Sequence, residues 1–401
     1  MRSRVDAVAL GPVALVALGL NGIVGVGIFV APPIVAGAVP DAAGALVYLA
    51  VAIACTPIAL AYARLARAFP VDGGPVLYAS RAFGERVGGG VGVLVWVSAT
   101  FAAAAVTRAF AELAAPVVRV PAPAIVAVIA AAMALANLRG LRIAAAAWTV
   151  LTVAKLVPLV VIASLGAFAS GAPSSSTRAP IGRALLAVLF ALQGFEVVPL
   201  PAGQTRDPER IVPRATIGAL AGAGALYAAV HFACARALPD LASQSEAIPA
   251  AAAALGGAPL AWLVSAGVAA SMGGIVVGYH AMTPRYLSAM RVAPRAVDPP
   301  AIALTAILVA PLAAIGSLGT LLDLASVSVL VQYGATLLAL ATLALRRRDG
   351  LAPRDAWPVP IALAVVGVLA AQASLRELLV GAGVGIAGAV IVSVVPRAPR
   401  A

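Results

Sequence analysis

Lysine occurs once in this 401-residue chain, and the other 26 basic residues are arginine. Charge of either sign is scarce: 10% of residues are charged against 63% hydrophobic, where a soluble domain is about 25% charged. That excludes a water-soluble fold, because apolar surface on this scale has lipid as its solvent. Cysteine occurs twice, Cys55 and Cys234, each inside an apolar run, which leaves no disulfide framework and no cysteine-based metal motif. The two histidines, His231 and His280, also stand alone in apolar runs. Neither a metal cluster nor a nucleophile–base constellation can be assembled from them, so an enzyme is not expected. A phosphate loop of the GxxxxGK[ST] kind is missing, which removes ATP-driven transport by this chain. Rings of like charge, the mark of a channel, are missing too. No cofactor and no metal is implied.

The net charge of +12 does not point to nucleic acid, because the arginines sit in short clusters between apolar segments. Apolar runs long enough to span a bilayer, about 20 residues, fall near 9–37, 43–66, 88–116, 122–138, 143–169 and 183–201, then 212–236, 258–288, 299–317, 322–345, 357–374 and 378–395. The opening MRSRVDAVALGPVALVALG mimics a secretory leader but has no clean cleavage site; we read it as the first membrane helix. Twelve helices put twenty arginines on the side of the N-terminus and five on the other. Both termini are therefore expected in the cytoplasm, of a protein in the inner or plasma membrane. The loop RLARAFPVDGGPVLYASRAFGER has the composition of a surface helix, and an alanine-rich piece after Pro249 can lie across the outer mouth.

Two of the runs are interrupted. LNGIVGVGIFVAPP puts Gly22, Gly25 and Gly27 within six residues, and LFALQGFEVVPLPAG puts Gly194 and Glu196 at membrane depth ahead of Pro199 and Pro201. Close-set glycines let a helix unwind, and exposed backbone at that depth is tolerated only where it lines a cavity. Broken helices at matching places in two halves point to a transporter site built on inverted repeats. The expected architecture is an all-α integral membrane protein. Its first five-helix repeat is 1–170, broken near 22–27, and its inverted second repeat is 171–347, broken near 190–196. Residues 348–401 add two C-terminal helices. Unwinding frees N–H groups at the start of one half-helix, which attract a carboxylate, and carbonyls at the end of the other, which attract an ammonium. An α-amino acid carries both groups on one carbon.

These stretches resemble a known family. GIVGVGIF is similar to the first-helix signature of the amino acid–polyamine–organocation transporters, FALQGFE…AGQTRDPERIVPRA to their sixth-helix signature and following loop, and NLRGLR…K to their helix 4–5 junction and helix-5 lysine. The resemblance runs from about residue 10 to 346 and implies the leucine-transporter-type fold. It implies a substrate carboxylate at the N–H groups of Val26 and Gly27, in a turn that includes Gly25. An amino group would meet carbonyls near Ile23 and at Phe190, Ala191 and Gln193, beside Gly194, with the Phe190 ring as a gate. The chain departs from the family at Val26, where a hydroxyl is common, at Gln204, where an acid is common, and in YLSAMRVAPRAVDPP after the eighth helix.

Lys155, in TVLTVAKLVPLVVI, lies roughly 12–18 Å from the end of its helix at 1.5 Å per residue. That is too deep to reach water by snorkelling, so the residue is read as functional. Arginine keeps its charge everywhere, whereas lysine away from water can release a proton. The resemblance implies that its amine takes the place a metal ion holds in sodium-coupled relatives, bridging to carbonyls near Asn21 and Gly22 and to Ser271. Lys155, Glu196 and Ser271 are the expected proton-coupling residues, against a structural pin at Lys155 and a hydrogen-bonding role for Glu196. Arg108 and Glu112, four apart, are expected to neutralise each other. The expected function is secondary-active transport by alternating access: proton-coupled uptake of a neutral, small to medium apolar amino acid. An amino acid exchanger or exporter without proton coupling, and a carrier of polyamines or basic amino acids, are the alternatives. Partners are the amino acid, protons and the lipid bilayer, with no nucleic acid, and the chain is a monomer or homodimer.

Overall fold

A computed structural model describes residues 11–71, 73–139, 145–169, 179–199, 202, 205–289, 299–380 and 383. Gln204, the loop at 290–298 and nearly all of the last apolar run, 378–395, lie outside them. Among the described residues the architecture is all-helical. The first apolar run is two helices, α1 (Pro12–Ile23) and α2 (Gly27–Ala38), bent by 49° at the glycine-rich turn. Then come α3 (Ala45–Ala68), α4 (Gly74–Phe83), α5 (Glu85–Val118), α6 (Ala122–Leu138) and α7 (Ala145–Gly166).

The second half opens with α8 (Ile181–Leu192), which stops at Gln193 and passes through Gly194 at φ 118° into a short 3₁₀ turn at Phe195–Val197. It continues with α9 (Pro208–Ala237), α10 (Ala247–Ala289, kinked at Gly256 and Gly257), α11 (Pro299–Ile315), α12 (Leu318–Leu345) and α13 (Pro358–Ala370). Six helical stretches are long and apolar enough to cross a membrane, and the bent α1–α2 pair makes a seventh. The chain is a multi-pass membrane protein. The helix expected in that loop forms as α4, which packs on α5 and α12 with Tyr78 1% exposed and leaves Phe83 39% exposed.

Small residues set the spacing. α3 lies along α9, where a side chain at Gly224 would meet Ala52 Cβ at 2.6 Å and one at Gly44 would run into His231. Where α7 meets α9, a Cβ at Gly166 would lie 2.1 Å from Ala233 Cβ. Long α5 runs through the middle, flanked by α10 and α12, and α13 packs on α3 and α12. Arg108 Nε meets Glu112 Oε1 at 2.5 Å as the spacing predicts, and its Nη1 caps the Ala314 carbonyl at 2.9 Å. His280 shares a buried hydrogen bond with Thr107 Oγ1 at 3.0 Å.

Candidate functional site

The two breaks face each other. A Cβ at Gly194 would sit 2.4 Å from the Gly22 carbonyl, and one at Gly27 would sit 2.3 Å from Ala191 Cα. Only glycine permits either approach, and Gly194 also needs its positive φ.

In a membrane each freed backbone group must find a partner inside the protein, and the first break finds them on other helices. Lys155 Nζ, 3% exposed on α7, donates to Asn21 O at 2.9 Å and to Val24 O at 2.6 Å. Two carbonyls at the C-terminal end of α1 are thus held by one amine. The Ile23 carbonyl accepts from the Tyr227 hydroxyl of α9 at 2.9 Å. Sequence reasoning missed Tyr227, which reads as an ordinary aromatic in an apolar run; only its register opposite the break reveals it. The N–H groups of Gly27 and Ile28, in the first turn of α2, have no intrahelical acceptor.

The second break is held mostly by itself. Glu196 Oε2 accepts from Gly194 N–H at 2.9 Å and from the Tyr333 hydroxyl of α12 at 3.0 Å. Tyr333 packs on Phe195 and Tyr62, with ring centroids 5.5 and 6.0 Å apart. The Tyr62 hydroxyl in turn accepts from Gln332 Nε2 and Thr336 Oγ1, each at 3.2 Å.

Between the breaks and the ends of α1 and α10 lies a cavity of about 120 Å³. Leu18, Asn21 and Gly22 line it from α1, Gln193, Gly194, Glu196 and Val197 from the second break, and Ser98, Ala99 and Ala102 from α5. Ile275, Tyr279, Met282 and Tyr286 of α10 complete the wall with Val329 and Gln332 of α12.

Of the expected substrate residues, Gln193 and Gly194 reach this cavity; Ile23, Gly25, Val26, Gly27, Phe190 and Ala191 do not line it. Val26 is 1% exposed, because α2 and α8 are in backbone contact there. Phe190 is buried with Phe101, Ala102, Val309 and Leu321, and Ala102 of this cluster also lines the cavity. The Phe190 carbonyl accepts from Gln193 N–H at 3.3 Å. The bridge at Lys155 also differs from the expectation in two atoms. Val24 O takes the place foreseen for Gly22, since α1 stays helical to Ile23 and Val24 is the first residue past it. Ser271 is buried, but its hydroxyl makes no hydrogen bond among the described residues. A second orphan is the Gln193 side-chain amide nitrogen.

Comparison with known proteins fits this geometry. The sequence pattern described as amino acid permease matches residues 10–375. This chain belongs to the amino acid permease family. The permease is 30% identical to an uncharacterized transporter of Mycobacterium tuberculosis over 98% of its own length and 92% of that protein. It is 27% identical to the chloroplastic cationic amino acid transporter 9 of Arabidopsis thaliana, across 69% of this chain and 54% of the relative. A 163-residue stretch, 38% of this chain and 37% of the relative, is 29% identical to the serine/threonine exchanger SteT of Bacillus subtilis. Among solved structures, Mhp1, a nucleobase-cation-symport-1 family transporter in a closed conformation with bromovinylhydantoin bound, matches with a TM-score of 0.65 at 15% identity, over 96% of this chain and 93% of that one. At that identity the likeness is one of fold. The relatives are transporters, not enzymes, and the permease takes its place among them as a secondary transporter.

Proposed function

We propose that this permease carries a neutral amino acid into the cytoplasm together with a proton, by alternating access around the two breaks. The observation that carries the reading is the Lys155 amine, donating to Asn21 O and Val24 O where α1 ends at the break of the first helix. An amine fastens the half-helix α1 to α7 while it donates both bonds. A change in its protonation alters that fastening and so the balance between the two openings of the carrier. Arginine could not switch in this way. Glu196 lines the cavity as a second proton site, and Ser271, buried with a free hydroxyl, is a further acceptor for the amine when the helices shift.

In this reading the architecture is twelve spans: two inverted five-helix halves, 1–170 and 171–347, followed by two helices in 348–401. Both termini face the cytoplasm of the inner or plasma membrane. The carboxylate of the substrate meets the N–H groups of Val26 and Gly27 once α2 and α8 part, and the ammonium meets the carbonyls at the ends of α1 and α8. A neutral substrate is favoured because the carboxylate in the cavity, Glu196, already accepts two hydrogen bonds.

The test is uptake of a labelled amino-acid mixture into proteoliposomes with an inward proton gradient and no internal substrate. Accumulation that collapses with a protonophore is the expected result. Exchange seen only after preloading with unlabelled amino acids would overturn proton coupling and make the protein an exchanger. Silence in both formats would overturn the substrate class.

A further inference from the structure

We propose that the side-chain amide of Gln193 reads a hydrogen-bonding group on the substrate's own side chain. The carrier would then take neutral polar amino acids, bearing a hydroxyl or a carboxamide, in preference to aliphatic ones. The inference rests on the amino-acid reading above and narrows it.

The argument starts from which polar groups of the cavity are already committed. Ser98 Oγ donates to Ala325 O at 3.4 Å, Gln332 Nε2 to the Tyr62 hydroxyl at 3.2 Å, and Glu196 accepts two bonds. Gln193 is different. It lines the cavity, it is 7% exposed, and its Nε2 is buried without an acceptor among the described residues. The break itself creates the situation. Gln193 ends α8 with φ −58° and ψ 150°, where the chain leaves the helix for the turn that borders the cavity.

A buried amide N–H without an acceptor is destabilising, and native proteins keep few of them. Leucine or methionine at this position would fill similar space without that cost. An amide left unpaired on a residue that lines the cavity therefore serves as a specificity device: ligands that supply an acceptor relieve it and ligands that lack one leave it stranded. The substrate carboxylate is the other candidate acceptor, but in the reading above it is taken by the N–H groups at the start of α2 once α2 and α8 part. That leaves Gln193 for the side chain. The Tyr279 hydroxyl and the Asn21 amide, both in the cavity wall and without a side-chain hydrogen bond among the described residues, extend the same polar face.

The experiment is competition, in proteoliposomes of the full chain, between a labelled amino-acid mixture and single unlabelled amino acids. Serine, threonine, asparagine and glutamine are expected to inhibit at concentrations at least about tenfold lower than alanine, valine and leucine, because a polar site rejects analogues that leave it unpaired. Gln193→Met should bring that ratio towards one, while Gln193→Asn, which keeps an amide, should preserve a preference. Equal competition by aliphatic and polar series in the wild-type protein overturns the inference and leaves the amino-acid reading standing. So does a wild-type preference that survives Gln193→Met. A uniform loss of affinity for both series in Gln193→Met assigns the amide to the carboxylate and also overturns it. Absence of competition by any amino acid overturns both readings.

Discussion

Replacing Gly27 by alanine tests the contact between the breaks with a single methyl group. A Cβ there would lie 2.3 Å from Ala191 Cα, 2.7 Å from Ala191 Cβ and 2.9 Å from Ala191 N. None of these atoms belongs to a flexible side chain that could swing away. Carbon atoms in contact sit about 3.5–4.0 Å apart, so α2 and α8 must separate by about 1.2 Å or tilt. Overpacking of this kind costs about 1–3 kcal/mol, and at 1.36 kcal/mol per decade the closed packing of α2 on α8 becomes about 5- to 150-fold less populated. Gly25, two residues earlier in the same turn, is the control. A Cβ at that position would have its nearest neighbours at 3.6 Å (Ile23 O) and 3.7 Å (Ile275 Cδ1), which is ordinary contact. Both variants should be measured for thermal unfolding in detergent and for uptake in proteoliposomes. Gly27→Ala should unfold several degrees lower and transport slowly; Gly25→Ala should stay near wild type in both. If the two behave alike, steric closure between α2 and α8 is not what the glycine provides, and the reasoning fails.

Lys155→Ala strands two buried carbonyls at about 1–3 kcal/mol each, so proton-driven accumulation should be lost; an active variant whose uptake keeps the wild-type pH profile would refute the switch. Lys155→Arg keeps the charge but brings a larger, permanently ionised group into a site 3% exposed, and it should bind substrate without coupled uptake, read as counterflow without accumulation. Tyr227→Phe keeps the edge contact with Tyr48, at 6.3 Å between centroids, and removes only the bond to Ile23 O; destabilisation of about 1–3 kcal/mol should appear as a lower unfolding temperature, and an unchanged value would show that this carbonyl has another donor. Gly194→Ala meets both a φ of 118° and a Cβ 2.4 Å from the Gly22 carbonyl. The left-handed backbone alone costs about 1–2 kcal/mol, so folded yield should fall well below that of Gly25→Ala; equal yields would mean the breaks are not in contact.

The breaks were legible because glycine spacing is a local signal: Gly22, Gly25 and Gly27 mark the 49° bend between α1 and α2. Lys155 was legible from depth alone, since a lone amine in an apolar run has few tolerable uses. What stayed hidden depends on which helix faces which. Tyr227 and Tyr333 are aromatics in long apolar helices, and nothing in their neighbourhoods distinguishes them from packing residues. Their roles arise from contacts 204 and 137 positions away in the chain. Phe190 illustrates the same limit: its position in the motif is fixed by sequence, whereas its packing with Phe101, Val309 and Leu321 depends on helices far away in the chain.

The two breaks also differ in a way that bears on how a carrier of this kind can move. The second break carries its own acceptor, Glu196, two residues from the N–H it satisfies, so it needs only Tyr333 from outside. The first has no such residue: Asn21, Ile23 and Val24 give their carbonyls to Lys155 on α7 and Tyr227 on α9. Since an unsatisfied carbonyl in a lipid environment is costly, α1 cannot leave α7 and α9 unless something replaces those donors. A substrate ammonium and a change in the state of Lys155 are the two candidates at hand, and either alone covers only part of the deficit. Coupling of substrate to proton would then follow from counting donors at one turn of backbone. Lys155→Ala and Tyr227→Phe, which remove donors from the same turn, should accordingly show a combined effect that departs from the sum of the two; simple additivity in a double-mutant cycle would mean the carbonyls act independently and the coupling lies elsewhere.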